Sequence, residues 1–576
     1  KAKLRNESDD SLENYKNWKP ELIKSSDILS VDPDLVWQKF GTFGRYQFIN
    51  LAMVSAPSLI YSALMMVMPF LTERNDDFNC VVNDEFAKTY TVLDKCTVRE
   101  VRSGQNRSCL DLIGRATTFT YGNSSKDYTI TNQFNLVCEQ SDDWREYGSS
   151  AFLFGAMFGA AILSYVSDTL GRRKSFLLSL TISVVVNCFT ALSPLYVVFL
   201  ALRFIAGFGM GGNLSIGYIM MSEVVAPKMR EFTPLVATFF WVFGYMLAGV
   251  ARMYIDSWRF VYFTCTAPGI LAVLVYFKYF PESLHWQVSN KKTKAVTLHI
   301  QRATRINKVQ IDMRDCITEP NSDDASTDST QADTKANCCT ILTSPKIFYM
   351  FMLSAFLMNV MNLTYWALSL FSTELSSHKM TGFFLSGTIE IPSAILAVVF
   401  LKLLKRRTIS CLMFILTAAS LTICIILPDY LSEEGGKIVT LICPLLAKMF
   451  NSIVWSVLPL AMSEMIPTVI RNSFSGWVCF LGDLGSVGAP FLERLSRKGA
   501  NTASMIIAIS TAVCAIGVMT MPETKGTHLR SGLDSFNEGP FLRFIEKLFC
   551  GKKEKKSKAD ERPLTNGSTH NGNNGN

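Results

Sequence analysis

Long apolar blocks dominate this chain, and they fix what it can fold into. Twelve of them occur, at about 46–71, 147–166, 175–193, 196–221, 233–251, 258–280, 347–371, 382–401, 408–428, 438–462, 473–492 and 502–521. A bilayer core about 30 Å thick is crossed by roughly 20 helical residues. Each block is long enough, and in lipid a helix is the only open-ended way to satisfy every backbone N–H and C=O. A soluble fold would need amphipathic surface helices around such blocks, and the sequence leaves none to supply them. Charged residues are 18 % of the chain, against about 25 % in an ordinary soluble protein. The fold class expected is an all-α membrane protein with twelve transmembrane helices.

Lys and Arg set the orientation. Arg172, Arg173 and Lys174 follow the second block, and Lys402, Lys405, Arg406 and Arg407 follow the eighth. The segment after the sixth block and the tail after the twelfth are also Lys-rich. The positive-inside rule makes that side cytoplasmic, with both termini on it. Arg494, Arg497 and Lys498, after the eleventh block, run against the rule. Residues 1–45 are polar and of mixed charge, unlike a cleaved leader. The net charge of +8 therefore reads as membrane topology and not as affinity for nucleic acid.

The insert at 72–146 falls outside. It carries Cys80, Cys96, Cys109 and Cys138, expected as two disulfides with three possible pairings, and glycosylation sequons at Asn106 and Asn123. Sequons at Asn213 and Asn362 fall within helices and are expected to be silent. The segment 281–346 is a cytoplasmic loop between two halves. Its basic stretch from Lys291 to Arg314 can be helical, and the acidic stretch that follows reads as disordered. Residues 522–576 form a cytoplasmic, largely disordered tail. In it the amphipathic run 541–550 ends at Cys550, a candidate lipid anchor.

The chain repeats. "SEVVAPKMR" (222–230) returns as "SEMIPTVIR" (463–471), and Pro281-Glu282-Ser283 returns as Pro522-Glu523-Thr524, both 241 residues on. The paired Arg172 and Arg173 return as Arg406 and Arg407. Two six-helix halves follow, 46–280 and 347–521, an arrangement many secondary transporters use around a central site.

"SYVSDTLGRRKS" (164–175) resembles the cytoplasmic loop motif of the major facilitator superfamily. "FGRYQ" (43–47), "DSWR" (256–259), "PESLHW" (281–286), "EMIPTVIRN" (464–472) and "PETKG" (522–526) resemble its organic cation, carnitine and organic anion transporter family. The match covers nearly all of 40–526 and is strongest to the organic cation branch. It departs at Ser164 and Thr169, usually Gly and a basic residue, and in having four outer-loop cysteines where that branch has six. The resemblance implies a polyspecific carrier at the plasma membrane. It would move small organic cations by alternating access, facilitatively and driven by membrane potential. A zwitterion carrier of carnitine or betaine type, or a non-transporting receptor on the same scaffold, is the alternative.

Charge inside spanning helices is costly, about 2.5–3.5 kcal/mol per group at the centre, so such groups point to function. Three lie eight to ten residues into their blocks: Glu390, Lys448 and Asp483. The resemblance implies cavity-facing acids at Glu390 and Asp483, the second position being typically basic in the anion and carnitine branches. Lys448 is expected to pair with one of them or to receive a substrate carboxylate. Trp241, Tyr365, Trp366, Trp455 and Tyr218 are candidate aromatic walls for a weakly hydrated cation. Asp168, Arg172 and Arg173, with Arg203, Glu223, Glu464 and Arg471, are expected gate and scaffold charges, Asp168 facing a helix N-terminus. No nucleophile–base pair, metal-ligand cluster or cofactor motif is present. The glycines of "GFGMGG" (207–212) read as close helix packing and not as a nucleotide loop.

Overall fold

The computed structural model describes residues 28–41, 44–73, 77–122, 128–138, 144–311, 316, 343–374, 379–466, 468–492, 495, 501–525 and 539–543. A short helix, α1 (Pro33–Lys39), precedes the first span, α2 (Arg45–Leu71). The rest of the first half is α3 (Trp144–Leu170), α4 (Arg172–Ala191), α5 (Tyr196–Val224), α6 (Thr233–Tyr254) and α7 (Trp258–Tyr279). Two short helices, α8 (Leu284–Ser289) and α9 (Thr293–Asn307), lie beyond it. The second half is α10 (Pro345–Leu370), α11 (Lys379–Leu403), α12 (Arg406–Ile426), α13 (Glu433–Met465), α14 (Thr468–Gly488) and α15 (Thr502–Thr520). Among the described residues eleven helices are long and apolar enough to cross a membrane. The twelfth expected span is α14, whose glycines, serines, Arg471 and Asp483 keep its hydropathy low.

Prolines shape the helices that reach the centre. Proline cannot donate to the residue four before it, so a helix breaks or bends there. The first span restarts at Pro57 and again at Met68, just before Pro69. In α11 the helix Lys379–Thr388 stops and a second, Glu390–Leu403, begins. Pro392 is the cause, since it leaves the Thr388 carbonyl without its helical donor. The break puts Glu390 at the first turn of a new helix, deep in the bundle. Pro444 and Pro459 lie inside α13.

The glycines of 207–212 do what close packing requires. A side-chain carbon at Gly207 would fall 2.0 Å from the Phe152 carbonyl oxygen, and one at Gly211 equally close to that of Ala156. Helices α3 and α5 thus touch backbone to backbone.

The two faces of the bundle differ. One apolar cluster fills the first half and crosses into the ends of the second-half helices that lie toward the 72–146 insert, at Leu370, Phe383, Ala489 and Leu492. The opposite ends of the second half, around Ile347, Ile409, Met465, Ile470 and Met521, form a cluster of their own. The insert is a small β module. Strands β1 (Phe78–Val82) and β5 (Thr117–Tyr121) pair antiparallel, and β2 (Tyr90–Val92), β3 (Thr97–Glu100) and β4 (Asn106–Ser108) form a second antiparallel sheet. Of the three possible pairings the disulfides are Cys80–Cys109 and Cys96–Cys138. Asn106 is exposed on β4, while Asn123 lies outside the described residues.

On the other face, α1, α8 and α9 form a cap packed on the first half. The Trp37 indole donates to the Glu223 carbonyl at 2.9 Å, and Asp34 pairs with Arg230 at 2.6 Å. The expected helix in 291–314 is α9. The acidic stretch after it and residues 544–576, with Cys550, lie outside the described residues.

Candidate functional site

The expected loop charges act within each half, and the repeat is visible in them. The Arg173 backbone N–H donates to Glu282 at 2.8 Å, at the start of α4. The Arg406 and Arg407 amides donate to Glu523 at 3.0 and 3.2 Å, at the start of α12. The carboxylate that meets a helix N-terminus is therefore the one in Pro-Glu-Ser/Thr. Asp168 does not take that place: its side chain is exposed and pairs with Arg172 at 2.5 Å on the same turn. A proline-led turn after α7 aims Glu282 back at the amides, whereas Asp168 lies in the last turn of α3. Burial pushes the Glu282 carboxyl above the ordinary carboxylate range, against the pull of the amides. Arg172 also reaches Glu223 at 3.6 Å, and its repeat counterpart Arg406 pairs with Glu464. The side chain of Arg471 lies outside the described residues.

Arg203, one of the expected gate and scaffold charges, bonds within its own half. It is fully buried two turns into α5, donates to the Gly148 and Leu64 carbonyls and the Tyr262 hydroxyl, and stacks on Phe152 at 4.4 Å. It thus ties α5 to three other helices of its half, α2, α3 and α7.

At mid-depth, where the halves meet, five aromatic rings gather. Trp241 on α6 lies 5.4 Å from Tyr61 on α2, 6.4 Å from Tyr365 and 6.2 Å from Trp366, both on α10. Trp455 on α13 completes the group, 6.3 Å from Tyr365. The Trp241 indole N–H is buried beside the Tyr365 ring. Tyr218, also expected here, stands apart. It is 45 % exposed on α5, and the described ring contacts do not include it. Its place on α5 points it toward the face away from the β module.

Two charge groups flank these rings. Asn362 donates to Asp483 at 3.1 Å and accepts from the Trp455 indole at 3.1 Å. Among the described residues no basic side chain comes within 4.0 Å of Asp483, and its side chain is partly exposed. One turn along α10 from Asn362, the Tyr365 hydroxyl donates to Glu390 at 2.8 Å. Glu390 also pairs with Lys448 at 2.9 Å, both almost wholly buried. Lys448 further donates to the carbonyl and hydroxyl of Ser386, each at 2.9 Å, where the first part of α11 ends. Positions three apart share a helix face, so α10 holds both acids on neighbouring turns. The partner of Lys448 is thus Glu390, and Asp483 is the acid left over.

Sequence reading missed Tyr61, Asn362, Tyr245 and Ser386. Asn362 was legible: an amide buried mid-helix needs a partner as a charge does. Tyr245 on α6 bonds Ser386, Ser372 and the Ser369 carbonyl across the half-to-half contact at 3.1–3.3 Å, which only the fold brings about.

The family model "Sugar (and other) transporter" matches residues 86–532. A putative transporter of Caenorhabditis elegans is 24 % identical over 522 residues, 89 % of this chain and 86 % of that protein. The organic cation transporter protein of Drosophila melanogaster is 24 % identical over 85 % of this chain and 92 % of its own length. Human organic cation/carnitine transporter 2 is 26 % identical over 76 % of each. Among solved structures, the partially occluded inward-open xylose transporter XylE from E. coli superposes with a TM-score of 0.55 at 15 % identity. That match covers 84 % of this chain and all of XylE, and it places the fold in the major facilitator class.

Proposed function

Because the chain belongs to the sugar (and other) transporter family, a multi-pass membrane transporter and not an enzyme, we propose that its cargo is small organic cations. It moves them across the plasma membrane by alternating access. The observation that carries this reading is Asp483: a carboxylate with no basic partner among the described residues, joined through Asn362 to Trp455 of a ring group to which both halves contribute. A ring face attracts a cation by about 0.5–2 kcal/mol, and a carboxylate in a dry site adds a counter-charge that water no longer screens. The organic cation transporters among its relatives agree with this cargo class. In this reading both termini are cytoplasmic and the disulfide-bonded β module is extracellular. Transport is facilitative, driven by the substrate gradient and by a membrane potential worth about 2.3 kcal/mol per charge per 100 mV.

The test is uptake of tetraethylammonium into cells expressing wild type and Asp483→Asn at equal surface density. The variant is expected to lose uptake by about a hundredfold or more, since losing the partner of a desolvated charge typically costs several kcal/mol. Unchanged kinetics in the variant would remove Asp483 and the cation reading together.

A further inference from the structure

We propose that this site is built for a ligand with one positive charge and no carboxylate, because Glu390 and Lys448 cancel each other in a closed pair and leave Asp483 as the acid to be neutralised. The inference rests on the cation reading above and adds a rule about ligand charge.

An ammonium group has three N–H donors. Those of Lys448 meet three acceptors at 2.9 Å: the Ser386 carbonyl, the Ser386 hydroxyl and a Glu390 carboxylate oxygen. The rings of Tyr245 and Tyr365 flank it at 4.8 and 5.5 Å, and it is 1 % exposed. A substrate carboxylate would find no donor free and no path to the charge. Tyr365 occupies the same Glu390 oxygen, so the acid of the pair is also engaged. The break in α11 makes this possible, since Ser386 stands where the first segment ends and its carbonyl faces Lys448. Asp483, with a single amide on one oxygen, remains open by contrast. Glu390, Lys448 and Asp483 together therefore carry one net negative charge, while the Arg203 guanidinium is turned away into the carbonyls and hydroxyl that hold it. A zwitterion would bring a carboxylate with no base to meet it, and a dication a second charge with no acid.

Altering the pair rewrites the rule. Lys448→Met leaves Glu390 as a second uncompensated acid, Glu390→Gln leaves Lys448 as an uncompensated base, and the double variant returns to one net negative charge. Uptake and inhibition would be measured with tetraethylammonium, a bis-quaternary alkane and glycine betaine, at surface density matched by biotinylation. In wild type, tetraethylammonium is expected to be preferred about tenfold or more over the other two. Lys448→Met should shift preference toward the bis-quaternary ion by about tenfold. Glu390→Gln should reduce tetraethylammonium uptake by about tenfold, and the double variant should recover it to within about threefold of wild type. A charge mismatch in a desolvated site commonly exceeds the 1.4 kcal/mol that tenfold represents.

The wild-type comparison stands even if a variant fails to reach the surface. Betaine handled as well as tetraethylammonium in wild type, or selective loss of betaine in Lys448→Met, would overturn the charge rule while leaving the cation reading in place. A double variant that reaches the surface yet fails to recover would also overturn it. Tetraethylammonium uptake indifferent to Asp483→Asn would instead strike the reading beneath.

Discussion

Trp241 shows how one side chain serves two halves. Its ring comes from α6 of the first half, yet two of its three ring neighbours belong to α10 of the second. Its indole is buried among these rings, and they hold it across the contact between the halves. Trp241→Ala should raise the Michaelis constant for tetraethylammonium by about 3- to 30-fold, the range set by one cation–π contact, with surface expression retained. Trp241→Phe should keep most of the affinity. An alanine variant with an unchanged constant would show that the ring packs without meeting the substrate. At this scale the sequence showed which groups were out of place in lipid: Glu390, Lys448, Asp483 and the aromatic candidates. It did not show which pair with which. That Lys448 meets Glu390 and not Asp483 depends on how α11 breaks ahead of Pro392 and on which faces of α10 and α13 meet. Neither is written in the spacing of one helix.

At the scale of elements, the cap formed by α1, α8 and α9 is the part of the chain most exposed to pH. His299 on α9 is buried between Trp37 and Tyr46, with ring centroids 5.9 and 5.6 Å away, and its Nδ1 lies 3.2 Å from the Gln287 side-chain oxygen. Burial, with Arg302 nearby, pushes its pKa down to about 4. The unfolded imidazole binds its proton near pH 6.5, so between about pH 6.5 and 4 the opened cap holds more protons than the packed one. Stability is then full above pH 6.5 and declines as pH falls through that window, by up to about 3 kcal/mol. The protection factors of α9 amides, exchange rates taken relative to the intrinsic rate at each pH, should fall from pH 7 to pH 5, and less so in His299→Gln. Equal protection at both pH values in wild type would show that His299 is not the weak point. The sequence anticipated α9 as a helix. It gave no sign that residues 28–40 would pack onto it, because a short segment such as α1 becomes ordered only through what it touches.

For the whole molecule, the conformation described here joins the halves on the face that carries the β module. Ser150 on α3 donates to the Val487 carbonyl on α14 at 3.0 Å, Tyr147 meets Phe491 at 5.5 Å, and Phe70 meets Phe383 at 4.7 Å. Glu73 and Lys379 form an ion pair across the same face. The alternating access proposed above requires these contacts to part. Cysteines placed at Ser150 and Val487, oxidised to a disulfide, should therefore stop uptake, and reduction should restore it. Full uptake by a completely cross-linked protein would mean that this face stays closed throughout transport. The 241-residue repeat pointed to two halves, and Glu282 and Glu523, 241 residues apart, accept from backbone amides at the starts of α4 and α12. The face on which the halves meet was not legible, because both faces are built from the same apolar helices and only packing tells them apart.

The disulfide-bonded β module grows from α2 and α3, two neighbouring helices of one half. It must ride with that half through every stroke. A nanobody raised against its strands would serve as a fiducial for particle alignment, adding mass to a small membrane particle. A binder confined to that module would do so without choosing which state of the cycle is imaged.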